Sequence, residues 1–368
     1  MALTRTDFLR LYRHMRLTRA LGDRIRELYY ARKIVGGVYT GTGMEATSVG
    51  AAYALRPGDV LVPLQRDLGA HLVRGTTPRE VFAQYLARGD SPSRGRDGGL
   101  RIGDMRQRMI VPVNGVVGAS LPVAVGTALA SRIRGEGRVT LAFIGEGGTS
   151  TGDFHEALNL AASASVPFVC IIEQNGYAYS TPASTQARLD SFAQRAAAYA
   201  IPAASVDGND VLAVYHSAHE AIERARNGAG PALIEARTFR MRGHSEADPA
   251  SYVPQELLAD WARRDPIAHF ETYLGDAGLL TQAEKSAIET EIKAELDAAL
   301  AAAEAGPPAD PAMLADHVYT DDGGGRIKPR RMPGTPAAVA LASTSQPASD
   351  VPPVRASEDV AADMVERP

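Results

Sequence analysis

Short runs of consecutive apolar residues alternate along this chain with longer stretches in which apolar positions return every three or four residues. The runs are DVLVPL (59–64), VTLAFIG (139–145), PFVCIIEQN (167–175) and PALIEARTF (231–239). With no polar face, they read as strands covered on both sides. PREVFAQYLARG (78–89), ASLPVAVGTALASRIRG (119–135) and DVLAVYHSAHEAIERARNG (210–228) have helical spacing, and each closes on glycine. Residues 1–30 carry Leu and Tyr at the spacing of a packed amphipathic helix. The alternation predicts an α/β fold: a parallel sheet flanked by helices and joined by right-handed crossovers.

Toward the C-terminus, residues 281–305 form a long Ala/Glu/Lys-rich helix that stops at Gly306-Pro307-Pro308. Residues 326–368 hold seven prolines and no aromatic residue. Such a segment cannot bury enough apolar surface to fold by itself. The expected organisation is one domain over 1–325 and a disordered tail over 326–368.

Composition narrows the function classes. The 368 residues are 45% hydrophobic and 22% charged, with a net charge of -4, so neither nucleic acid nor an anionic membrane is an expected partner. No apolar run approaches the roughly 20 residues that span a bilayer. The single cysteine, Cys170, lies inside an apolar strand and reads as a buried thiol. A cytoplasmic protein is expected.

The chemistry centres on FIGEGGTSTGDFHEALNLA (143–161), where Glu146 stands between glycines at the end of an apolar strand. Parallel sheets bind ligands beyond the carboxyl ends of their strands. A helix and the return strand PFVCIIEQN then bring Asn175, 29 positions on, to the same edge. A carboxylate, an amide oxygen and a nearby carbonyl make a hard oxygen site, the kind Mg²⁺ occupies together with phosphate. Gly145, Gly147 and Gly148 let backbone approach a phosphate closely, and the following helix start offers free N–H groups. Taken alone, GEG reads as a strand-to-helix turn with Glu near a helix N-terminus.

GEGGTSTGDFHEALNLA, NGYAYSTP (175–182) and RMRGHSEADPASY (240–252) together resemble the alpha subunit of the decarboxylating component of 2-oxo acid dehydrogenase complexes. The resemblance runs from about residue 10 to 320 and includes ALRPGDVLVPLQRDLGAHLVRG (54–75) and NGVVGASLPVAVGTALA (114–130). It implies thiamine diphosphate and Mg²⁺ as cofactors. Glu146 and Asn175 would be side-chain metal ligands and Tyr177 a ligand through its carbonyl. Gly147, Gly148, Arg66 and Arg240 would face the diphosphate. Gly115 and Val117 would hold the aminopyrimidine, and His244 would be the active-site histidine, on a mobile loop. The family further implies a beta subunit in an α₂β₂ assembly, a lipoyl-bearing acyltransferase core and a 2-oxo acid substrate. An acetoin dehydrogenase alpha subunit shares these motifs, and a cofactor-dead scaffold or regulatory subunit is a third reading.

The chain departs from the family pattern in places. Glu146 and Gln174 replace the usual Asp and first Asn of the cofactor motif. Gln65 stands where Tyr is frequent, and Tyr39 where pyruvate-type members often have His. Ser245 matches a phosphorylation site of mitochondrial members. Glu45, in TGTGMEATSVG, reads as part of a helix capping box with Thr42 rather than a catalytic acid. His155, beside Asp153 and Glu156, reads as a solvated or interface-facing cluster. His216 and His219 lack a third ligand and read as surface helix.

Overall fold

The computed structural model describes residues 3–110 and 116–315. Gly115 and the 326–368 tail lie outside the described residues. Contacts divide the chain into two units, Met1–Leu314 and Ala315–Pro368. The helices and strands labelled here belong to the first.

The strands are β1 (Val60–Val62), β2 (Thr140–Gly145), β3 (Phe168–Gln174), β4 (Tyr177–Ala178), β5 (Thr181–Pro182), β6 (Ala203–Asp207) and β7 (Ala232–Arg237). Five of them form a parallel sheet in the order β1-β2-β3-β7-β6, and β4 pairs with β5 in a small antiparallel hairpin. Each predicted apolar run is a strand of the sheet. The fifth, β6, has no apolar run (AASVD) because it is an edge strand and mostly exposed, so no hydrophobic pattern marks it.

Helices run in the order α1 (Arg5–Tyr30), α2 (Glu45–Tyr53), α3 (Leu68–Val73), α4 (Pro78–Tyr85), α5 (Ser120–Arg134), α6 (Gly152–Ser163), α7 (Ala183–Gln186), α8 (Val211–Arg226), α9 (Gln255–Ala262), α10 (Pro266–Asp276) and α11 (Gln282–Glu304). Alternate residues of the central strands feed two cores. Leu141, Phe143, Val169, Ile171 and Ile234 pack with Val214, Ala218 and Ile222 of α8. Ala142, Ile144, Phe168, Cys170, Ile172 and Leu233 meet Leu121 and Val125 of α5 and Phe154 and Leu158 of α6 on the other face. This double covering explains why the strands are continuously apolar. It also pushes the Cys170 thiol far above its ordinary pKa.

α1 packs across α10 and α11, and its arginines meet their acids: Arg13 with Glu295 and Arg16 with Glu271 and Glu289. Thr281 and Glu284 form the capping box that starts α11. No helix among the described residues is long and apolar enough to cross a membrane.

One local expectation is corrected. Glu45 is the first residue of α2, whose N-cap is Met44, so Thr42 sits too early to form a box with it. The Glu45 carboxylate is buried, accepts the Gly43 N–H at 3.0 Å and takes Arg19 on both oxygens, at 2.5 and 2.9 Å. Thr42 instead accepts from Arg242 at 3.2 Å. Between β2 and α6 the chain first makes a tight turn. Glu146–Ser150 form a 3₁₀ turn, and α6 begins at Gly152, capped by Thr151. Thr149 and Thr151 hold that turn by donating to the Glu146 and Gly148 carbonyls, at 2.6 and 2.8 Å.

Candidate functional site

At the carboxyl end of the sheet lies a cavity of about 520 Å³. Its walls include nine residues singled out by the sequence: Arg66, Val117, Glu146, Gly147, Gly148, Asn175, Tyr177, Arg240 and His244. Strand register explains why they meet. Gly145 pairs with Glu173 and Gln174 pairs with Arg237, so the residues following β2, β3 and β7 emerge side by side.

Glu146 is 1% exposed. Its Oε2 accepts the Asn175 backbone N–H and its Oε1 accepts the Gln186 amide, both at 3.3 Å. Burial pushes its carboxyl up, while those donors and Arg240 pull it back. Asn175 is also buried, and its Oδ1 accepts the Tyr177 N–H at 3.2 Å. The β4–β5 hairpin that follows folds Tyr177 and Tyr179 over the site. A Cβ on Gly147 would lie 2.5 Å from that of Ala178, and one on Gly148 would lie 2.7 Å from Ile144 and 3.0 Å from Val117. These positions need bare backbone.

Two arginines face this turn. Arg240 is 2% exposed and donates to the carbonyls of Tyr177 (3.3 Å), Tyr179 (2.7 Å) and Arg242 (3.1 Å) and to the Tyr252 hydroxyl (2.7 Å). Arg66 donates to the His244 carbonyl and lies 5.7 Å from the Tyr39 ring centre. Its buried Nε has no hydrogen-bond partner among the described residues. Burial and the neighbouring Arg240 push its pKa down to about 10. This is a pocket made for an anion.

His244 is half-buried, its ring held between Tyr39 (5.5 Å) and Tyr179 (4.5 Å), and its backbone N–H donates to Asp248 at 2.6 Å. Burial, Arg66 and Arg240 push its pKa down to about 4, so the imidazole is neutral near pH 7 and can both donate and accept a proton.

Among the described residues, the other histidines form no metal site. His155 pairs with the Tyr199 hydroxyl at 2.5 Å, and His219 stacks on Tyr215. No group of three His, Cys, Asp or Glu side chains suited to a metal occurs among the described residues. One carboxylate with amide and carbonyl oxygens remains, a donor set for a hard cation that shares phosphate oxygens.

Three features in and around the site escaped the sequence reading. Asp67 and Glu173 form a fully buried carboxyl pair behind Arg66. Burial and the Asp67 carboxyl hold Glu173 far above the usual carboxylate range. Glu173 could have been noticed as the one charged side chain in an otherwise apolar strand. His71 and Arg101 also line the cavity, and no local pattern marks either.

Similarity to known proteins covers the whole site. The family model described as "Dehydrogenase E1 component" matches residues 12–312. The chain is 36% identical over 328 residues to the alpha subunit of acetoin:2,6-dichlorophenolindophenol oxidoreductase of Bacillus subtilis (strain 168), covering 88% of this chain and 97% of that one. It is 36% identical over 327 residues to the pyruvate dehydrogenase E1 component subunit alpha of Acholeplasma laidlawii, covering 87% and 90%. Against the 3-methyl-2-oxobutanoate dehydrogenase subunit alpha of Mycobacterium tuberculosis (strain ATCC 25618 / H37Rv), identity is 42% over 275 residues, covering 74% and 71%. A match of this extent, with the cavity residues inside it, means that the chain belongs to the dehydrogenase E1 component family.

Proposed function

We propose that this chain is the alpha subunit of a thiamine-diphosphate- and Mg²⁺-dependent 2-oxo acid dehydrogenase, an oxidoreductase that works with a beta subunit in the cytoplasm. The observation that carries the reading is the convergence of Glu146 and Asn175 on one wall with Arg66 and Arg240 beside them. The residues present fit the cofactor. Glu146 and Asn175 offer side-chain oxygens held by internal donors at only 3.2–3.3 Å. The Arg66 Nε is a buried donor without a partner among the described residues, and Gly147 is confined to bare backbone because any side chain there would collide with Ala178.

Glu146, Asn175 and the Tyr177 carbonyl would hold Mg²⁺, and Arg66, Arg240, Gly147 and Gly148 would hold the diphosphate. The Tyr177 carbonyl has a second lone pair besides the one that accepts from Arg240. Backbone groups at Gly115 and Val117 would orient the aminopyrimidine. Thiamine diphosphate, when bound, supplies a nucleophilic carbon and an electron sink for decarboxylation. The partner's task is to provide the carboxylate that hydrogen-bonds the aminopyrimidine. His244 steers the 2-oxo acid or the incoming lipoyl group and exchanges a proton beside the reacting carbon. An α₂β₂ assembly and a lipoyl-bearing acyltransferase core complete the reading.

Acetoin is a second candidate substrate, supported by the 36% identity over 328 residues to the Bacillus subtilis acetoin relative. Turnover of pyruvate, branched 2-oxo acids and acetoin by the chain assembled with its beta partner tests the proposal. Decarboxylation of at least one 2-oxo acid, and none by the isolated chain, is expected. Robust turnover by the isolated chain would contradict it.

A further inference from the structure

Among the described residues, the cavity is lined by three arginines and one carboxylate. Arg66 and Arg240 stand at the Glu146 turn, where a diphosphate would use them. Arg101 comes from a different segment, between α4 and α5. The segment bearing it packs beside the one that carries Tyr39: a Cβ on Gly98 would lie 3.1 Å from the Val35 carbonyl. Leu100 and Tyr39 line the cavity next to it.

Arg101 is held without being used up. Its Nη1 donates to both oxygens of Asp97, at 3.3 and 3.0 Å, and Asp97 is itself fixed by the Gly99 N–H at 2.9 Å. The Nε and Nη2 groups make no hydrogen bond among the described residues, and the side chain is 34% exposed. One edge of the guanidinium is therefore anchored while the other stays available beside the cavity. An arginine fork suits a carboxylate because two parallel N–H groups match its two oxygens.

We propose that Arg101 is a substrate-binding residue that receives the carboxylate of an incoming 2-oxo acid and so favours acids over the neutral hydroxyketone acetoin. The proposal rests on the dehydrogenase reading. It adds the residue that separates the two candidate substrate classes, which share the same cofactor chemistry. Acetoin carries no charge for Arg101 to meet. An interaction made equally with bound substrate and transition state lowers KM without raising kcat, so the expected effect lies in KM.

The test uses the chain assembled with its beta subunit, as wild type, Arg101→Gln and Arg101→Lys. Steady-state kinetics with pyruvate, 2-oxoisovalerate and acetoin are combined with calorimetry of thiamine diphosphate and of an acylphosphonate, an anionic 2-oxo acid mimic. In Arg101→Gln, KM for the preferred 2-oxo acid should rise at least about tenfold with kcat within about twofold. Acylphosphonate binding should weaken in parallel, thiamine diphosphate binding should be unchanged, and Arg101→Lys, which keeps the charge without the fork, should recover only part of the loss. An unchanged KM in Arg101→Gln, with cofactor binding and turnover intact, would overturn the role of Arg101 and leave the family reading standing. Wild-type protein that binds the cofactor yet turns over only acetoin would overturn it as well. Wild-type protein that binds no thiamine diphosphate would overturn the reading beneath it.

Discussion

The backbone N–H of Asn175 donates to the Glu146 carboxylate at 3.3 Å, although the two residues are 29 positions apart. The β2–α6–β3 crossover closes that distance, and the contact aims both side chains into the same cavity. Because the bond uses the backbone of Asn175, the amide side chain can be removed without releasing Glu146. Asn175→Ala should weaken Mg²⁺-dependent thiamine diphosphate binding by about tenfold to a hundredfold. It should cost only about 1 kcal/mol of stability, through the lost acceptor for the Tyr177 N–H. Calorimetry paired with thermal melts checks both halves.

Gly147 tests the cradle by shape alone. An added methyl would sit 2.5 Å from the Ala178 Cβ, and neither group has a rotamer to escape into. Gly147→Ala should displace the β4–β5 hairpin and weaken cofactor binding about tenfold or more, because preorganised contacts tolerate little displacement. Titration of the assembled variant with thiamine diphosphate measures this; an unchanged affinity would mean that the turn does not approach the phosphate.

The Asp67–Glu173 pair makes a prediction in pH. Glu173 is raised well above its ordinary 4.5 by burial and by Asp67, so the folded state holds a proton that the unfolded chain releases. The stability this contributes is present below about pH 4.5 and is lost as pH rises. Glu173→Gln keeps a donor for Asp67 and cannot ionise. Its melting temperature should gain on that of the wild type as pH rises from 5 toward 9, whereas Glu173→Ala should be destabilised throughout. A Gln-minus-wild-type difference that ignores pH would refute the shared proton.

His71 works with the opposite sign. Burial pushes it down from 6.5 to about 4, and its Nδ1 has no partner among the described residues. The unfolded chain takes up a proton near pH 6.5 and the folded chain only near pH 4. Stability is therefore full above about 6.5 and falls as pH drops through that window, by up to about 3 kcal/mol. His71→Leu should lose less stability than the wild type between pH 7 and 5, as followed by melts across a pH series.

How much of this was legible in the sequence depended on what each feature must bury. The four buried strands were readable because both faces are covered, and β6 was not, because an exposed edge strand needs no apolar run. Glu146 and Asn175 were visible as polar residues ending apolar strands, a position set by local order. The Glu45–Arg19 contact joins α2 to α1 and left only a capping-like pattern in the sequence, which misled. His71 and Arg101 become wall residues only when α3 and the 97–101 segment fold around one hollow, and spacing along the chain does not encode that.

The most direct test of the central claim is calorimetry of thiamine diphosphate, with and without Mg²⁺, on the assembled protein and its Glu146→Gln variant. The account predicts tight, Mg²⁺-dependent binding by the wild type. It predicts a loss of about a hundredfold or more in the variant, because the glutamine is nearly isosteric and removes only the charge that faces the cation. Equal affinity in the two proteins, or wild-type binding indifferent to Mg²⁺, would contradict it.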